Sequence, residues 1–115
     1  MGHETEPTPG EVLFVSSRRD GNRTIVKLEG ELDLHGTHRL TAEVQQALSD
    51  SAEIVEIDAE LLTFADSAGL RAVLLAREEA QRTGAQFRIV SVSAPVGRVI
   101  EIAGLSAELL PAPSS

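Results

Sequence analysis

The 115-residue chain has no cysteine, tryptophan or tyrosine, and only three phenylalanines. Without thiols it can form neither a disulfide nor a cysteine-ligated zinc or iron–sulfur site. The same absence fits a reducing compartment, and a cytoplasmic location is expected. With so few aromatic rings, any core has to be packed from leucine, isoleucine, valine and alanine. Cations are scarce as well: nine arginines and one lysine face eighteen carboxylates, giving a net charge of −8. Such a field repels phosphate backbones, and no segment gathers enough arginine to reverse it, so direct nucleic-acid binding is not expected. No apolar run approaches bilayer length and no basic-then-apolar leader opens the chain, so membrane insertion is not expected either. A lysine-containing phosphate loop and a dinucleotide fingerprint are both missing, so no cofactor is implied.

Apolar residues make up 42% of the chain and charged residues 24%, a balance that belongs to a folded globular protein. Its length suits one core. Residues 1–10, with two prolines, two glycines and no core-forming side chain, read as a flexible lead-in. Residues 111–115 read as a flexible tail, which leaves 11–110 as the domain.

Within that domain the periodicity alternates. Val12 to Val15 is a short apolar strand, and Asp20-Gly21 within the polar stretch Ser16 to Asn22 marks a turn. From Thr24 to Leu32, Val26, Leu28 and Leu32 share one face while Lys27, Glu29 and Glu31 share the other. Leu40, Val44, Ala47 and Leu48 then form a helical stripe ending near Asp50. Ile54 to Ile57 is β-branched and reads as a strand. Leu70, Val73, Leu74 and Ala80 give a second helix closed by Gly84. Phe87 to Val92 is a further strand, and Ser93-Ala94-Pro95 opens a third helix that ends at Gly104. The order β-β-α-β-α-β-α predicts an α/β fold: a mixed sheet of four to five strands, its helices mainly on one face and its hairpin leading into parallel strands.

The segment Leu61 to Leu70 joins the third of these strands to the second helix. Asp66 and Ser67 are both good N-cap residues, and unpaired backbone N–H groups point outward at a helix start. On local features alone this is a capped helix in which Gly69 permits close packing. The same geometry puts a hydroxyl where the helix dipole favours a phosphate.

Phe64-Ala65-Asp66-Ser67-Ala68-Gly69-Leu70 resembles the phosphorylation-loop motif of the STAS domain family, and Gly30-Glu31-Leu32-Asp33 resembles that family's second motif. The element order agrees with the family from Val12 to Leu110. The resemblance implies a bacterial anti-sigma factor antagonist rather than an enzyme. Such a domain binds an anti-sigma factor of serine-kinase type, so releasing a sigma factor, and phosphorylation in the loop breaks the complex. It further implies a partner-binding surface made of Asp33, Asp66, Ser67, Ala68, Gly69 and Leu70.

The family's usual phosphoacceptor directly precedes the glycine, and here that position is Ala68. Two readings stay open. Ser67 accepts the phosphate instead, or the domain is never switched by phosphorylation. STAS-like domains with alanine at this position also resemble accessory subunits that dock on the ATPase of an ABC transporter.

Other constellations carry less. His35 and His38 lie near Asp33, but His3 sits in the lead-in, so no third imidazole is at hand and no metal site is expected. Ser67 has Gly69 two residues on but Ala65 two residues before, half of a nucleophile elbow. Glu29 and Glu31 read as a solvated strand face. Oligomeric state is not legible.

Overall fold

The structure is a computed structural model and describes residues 3–5 and 12–111. In chain order the elements are β1 His3–Thr5, β2 Leu13–Asp20, β3 Arg23–Leu32, α1 Thr37–Ser49, β4 Ile54–Ala65, α2 Ser67–Arg82, β5 Gln86–Val92, α3 Ala94–Ile102 and the single turn α4 Ser106–Leu109. The strands form one sheet in the order β1-β2-β3-β4-β5. The pairs β1–β2 and β2–β3 are antiparallel, while β3–β4 and β4–β5 are parallel. This is the mixed α/β sheet expected from the alternation of strand and helix periods.

The core lies between one face of that sheet and the helices. Val26, Leu28, Ile57, Leu62 and Ile89 point into it from the strands, and Leu40, Val44, Leu70, Val73, Val96 and Ile100 meet them from α1, α2 and α3 in one continuous cluster. Aliphatic packing of this kind stabilises by roughly 1.5–3 kcal/mol per fully buried side chain. Leu109 of α4 joins the same cluster and closes its end beyond α3. No described residue covers the opposite face, and Lys27, Glu29 and Glu31 of β3 lie on it, exposed.

Besides the single turn α4, which follows Gly104 where no element is read in the sequence, three elements differ from the expected pattern. The polar stretch after Val15 is mostly strand. β2 runs to Asp20, each residue from Leu13 paired with β3, and the turn shrinks to Gly21-Asn22. Ladder hydrogen bonds to β3 carry this stretch, where side-chain patterning shows nothing.

β4 continues seven residues past Asp58 because it carries two extra residues relative to β3. Lys27 and Glu29 face Asp58 and Leu61, and Gly30 and Glu31 face Leu62 and Phe64. Such bulges break period-two alternation, which is what makes a strand visible in a sequence. Finally, of the residues read as a flexible lead-in, His3–Thr5 pair with β2 as an edge strand. Residues 1–2 and 6–10 of that lead-in, and 112–115 of the tail, lie outside the described residues.

Gly30 sits at the second bulge with φ +104, and a Cβ there would lie 2.0 Å from the Val12 carbonyl oxygen. That oxygen also accepts from the Glu31 N–H at 3.0 Å, so it cannot easily move away. Gly30→Ala is therefore expected to cost at least about 2 kcal/mol in urea unfolding, combining positive-φ strain with the clash. Gly21 has φ +65 with open space around its Cβ position, and Gly21→Ala is expected to cost only about 1 kcal/mol. Equal losses in the two variants would contradict the packing account of Gly30.

Candidate functional site

The site is made where the parallel strands β3 and β4 end together. Leu32 pairs with Ala65 as the last residues of the two strands, so Asp33 and Asp66 leave the sheet side by side. The Asp66 N–H donates to the Leu32 carbonyl at 3.2 Å, extending the ladder one step into the loop. Asp66 itself is extended (φ −100, ψ −177), and its Oδ1 accepts from the Gly69 N–H at 2.8 Å. That bond satisfies one of the N–H groups left open at the start of α2, and the carboxylate also faces the positive end of the helix dipole. The Leu70 N–H then donates to the Asp66 carbonyl at 3.0 Å, and the helix is under way.

Gly69 explains why the loop is so close to the sheet. A Cβ at this position would stand 2.2 Å from the Leu32 carbonyl oxygen and 2.9 Å from Leu32 Cγ. Helix α2 thus begins directly against the end of β3, a distance open only to a residue without a side chain. Gly69 and Leu70 are buried, Ala68 is half-buried and Ser67 is exposed. Of the residues marked as a contact surface, Leu70 belongs to the core cluster with Leu32, Val73 and Val96. Among the described residues the Ser67 hydroxyl makes no hydrogen bond, so it faces solvent at the first turn of α2.

Asp33 is half-buried and structurally engaged. Its Oδ1 accepts from the His35 N–H at 3.0 Å and its carbonyl accepts from the Gly36 N–H at 3.0 Å, which folds Asp33 to Gly36 into a tight turn ahead of α1. One carboxylate oxygen is left for a partner. The turn lifts Leu34 into solvent at 67% exposure. Reading the sequence passed over Leu34. The available signal was an apolar residue inside a turn opened by aspartate, flanked by two polar positions.

Thr63 adds a second tie, its hydroxyl donating to the Gly30 carbonyl at 3.1 Å across the bulge. His35 and His38 are not drawn together into a ligand set: among the described residues no group of three histidine, cysteine or acidic side chains could hold a metal ion. A groove of about 600 Å³, lined by Ser17, Thr24, Glu43 and Asp50 among others, lies at the far end of the sheet and shares no residue with the loop.

A mixed sheet covered on one face, with a capped helix start and a neighbouring turn displayed at the ends of two parallel strands, defines a small α/β domain. Residues 15–111 match the family model described as "Mlab, STAS domain", and the chain belongs to the STAS domain family. A curated relative, the anti-sigma F factor antagonist of Paenibacillus polymyxa, is 29% identical over 82 residues, covering 70% of each chain.

Among solved structures, an anti-sigma factor antagonist from Mycobacterium paratuberculosis superposes with a TM-score of 0.75 at 21% identity, over 91% of this chain and 90% of the other. The anti-sigma factor antagonist SpoIIAA in its unphosphorylated form gives 0.71 at 24%, over 87% and 89%. These structural likenesses establish the fold. Among the described residues no helix is long and apolar enough to cross a membrane.

The cap is testable without knowing the partner. Asp66→Ala is expected to lower stability by about 1 kcal/mol in urea unfolding, whereas Asp66→Asn, which keeps an acceptor, is expected to lose less than about half of that. Faster amide exchange in the first turn of α2 of the alanine variant would locate the loss. An alanine variant as stable as the wild type would contradict the role given to the Asp66 carboxylate.

Proposed function

We propose that this chain is an anti-sigma factor antagonist: it binds a cytoplasmic anti-sigma factor of serine-kinase type and thereby frees a sigma factor. It acts by binding rather than by catalysis. The observation that carries this reading is the exposed Ser67 hydroxyl at the start of α2, directly after the Asp66 cap, with Asp66 brought next to Asp33 by the pairing of Leu32 with Ala65. The relative named an anti-sigma F factor antagonist supports it.

The loop is rigid where it must be and bare where a partner would meet it. Asp66, Gly69 and Leu70 fix its path, while Ser67, Ala68 and the free oxygen of Asp33 form the outer surface. Phosphorylation of Ser67 adds roughly −1.5 to −2 charges at neutral pH. The first-turn N–H groups of α2 accommodate that charge in the free domain. In a docked complex the phosphate meets the Asp66 and Asp33 carboxylates at a partly dry surface, where like-charge repulsion is strongest. A few kcal/mol of such coupling shifts a partner's affinity by two orders of magnitude or so.

Ala68 favours a second reading at one point. It occupies the position before Gly69 and has no hydroxyl to modify. On that reading the same surface docks constitutively on the ATPase of an ABC transporter and no phosphorylation cycle exists.

One experiment separates the two. The purified domain is titrated by calorimetry against the kinase-type anti-sigma factor of its own organism, then incubated with it and ATP and weighed intact. Binding, with gain of one phosphoryl group that is absent in Ser67→Ala, is the expected result. Ser67→Glu is expected to weaken binding at least about tenfold. Absence of binding to the anti-sigma factor, with binding to a transporter ATPase, would overturn the sigma-factor reading.

A further inference from the structure

The uncovered face of the sheet is not uniform. At its far end Glu56 of β4 is only 6% exposed, and its carboxylate is neutralised from both neighbouring strands. Arg88 Nε on β5 donates to Oε2 at 3.0 Å, and Arg23 Nη1 on β3 lies 3.4 Å from both oxygens. At the end nearest the candidate site the arrangement is reversed. Glu29 and Glu31 stand exposed on β3, and among the described residues neither joins an ion pair. The one cation beside them on that strand face is Lys27, which precedes Glu29.

Large apolar side chains surround these two carboxylates. The register sets Phe14 of β2 and Leu61 of β4 on either side of Glu29, and Phe64 beside Glu31, whose N–H donates to the Val12 carbonyl. Val12, Phe14, Leu61 and Phe64 are 46%, 47%, 46% and 46% exposed. Leu61 and Phe64 both face outward although they are three residues apart, because Thr63 is the extra residue of the second bulge and bonds to the Gly30 carbonyl. In a regular strand one of them would turn into the core. The bulge therefore holds two large apolar groups in water, and an exposed cluster of that kind marks an interaction site.

We propose that this end of the open face docks a basic, apolar segment of a partner protein, with arginine or lysine meeting Glu29 and Glu31 and apolar side chains meeting Phe14, Leu61 and Phe64. The occupant follows from the charge. Two carboxylates on alternate residues of one strand lie about 7 Å apart and repel, and one guanidinium between them removes that repulsion. A second copy of this chain, itself at −8, would bring carboxylates against carboxylates. The surface adjoins the candidate site, since Phe64 is two residues from Asp66, yet the inference stands whichever partner the loop engages.

A short synthetic peptide alternating arginine and leucine, and its glutamate–leucine counterpart, provide the probe. Binding is followed by fluorescence anisotropy and by amide shifts in the labelled domain. The arginine peptide is expected to bind with shifts centred on β2, β3 and the end of β4, while the glutamate peptide does not bind. Glu29→Gln/Glu31→Gln is expected to weaken binding about tenfold. Glu78→Gln/Glu101→Gln, which removes the same charge from the helix layer, is expected to leave it unchanged. Phe14→Ser is expected to weaken it without altering the salt dependence. Equal weakening by both glutamate pairs would reduce the effect to the overall field and overturn the proposal. So would shifts outside the open face, or a concentration-dependent dimer abolished by Phe14→Ser, which would make the occupant a second copy.

Discussion

Helix α2 can start where it does only because the backbone at Gly69 passes the end of β3 at a distance that excludes a methyl group. Much else at this end of the molecule depends on that approach. It lets the Asp66 N–H continue the β3–β4 ladder onto the Leu32 carbonyl and lets the Asp66 side chain turn back to cap the helix. It brings Leu70 into the core one residue later, so the loop is anchored on both sides of Ser67 and Ala68. With both flanks fixed, the backbone of Ser67 holds one place at the start of α2, next to the Asp66 cap. On the proposed function, a docking surface built this way loses little conformational freedom on binding, which is where much of an interface's affinity is otherwise lost.

The same end of the molecule shows how a strand irregularity shapes a surface. Gly30, with its positive φ, and Thr63, with its hydroxyl on the Gly30 carbonyl, belong to one bulge. On the inner side that bulge keeps Leu62 and Ala65 buried. On the outer side it leaves Leu61 and Phe64 facing water. The Gly30-Glu31-Leu32-Asp33 stretch therefore serves the loop through Leu32 and Asp33 and the open face through Glu31. Two surfaces, one at the strand ends and one on the sheet, thus meet at one local departure from regular pairing.

The architecture was legible because the core is aliphatic and its spacing clean. The 3.6-residue stripes of Leu40, Val44 and Ala47 and of Leu70 and Val73 match buried helix faces, and the alternation from Val26 to Leu32 matches β3. The caps at Asp66 and Ser93 were legible as well, because capping is local chemistry between a side chain and a backbone two or three residues away. What escaped was set by partners distant in sequence. The strand character of Ser16 to Asp20 comes from β3, the extension of β4 from two bulges, and the burial of Glu56 from Arg23 and Arg88. At the site, Asp33 is placed by Leu32 pairing with Ala65, and its own turn engages one of its oxygens. Position and partial satisfaction of that kind require coordinates.

Amide hydrogen exchange on the domain with the proposed anti-sigma factor partner tests most directly whether the Asp66–Leu70 loop and the Asp33 turn are where that partner docks. Residues 65–71 and 33–36 are expected to gain protection on binding, while the hairpin turn at Gly21 and the far groove around Asp50 exchange as in the free domain. Protection confined to the hairpin end or to the C-terminal ends of α1 and α2, with the loop unchanged, would contradict it.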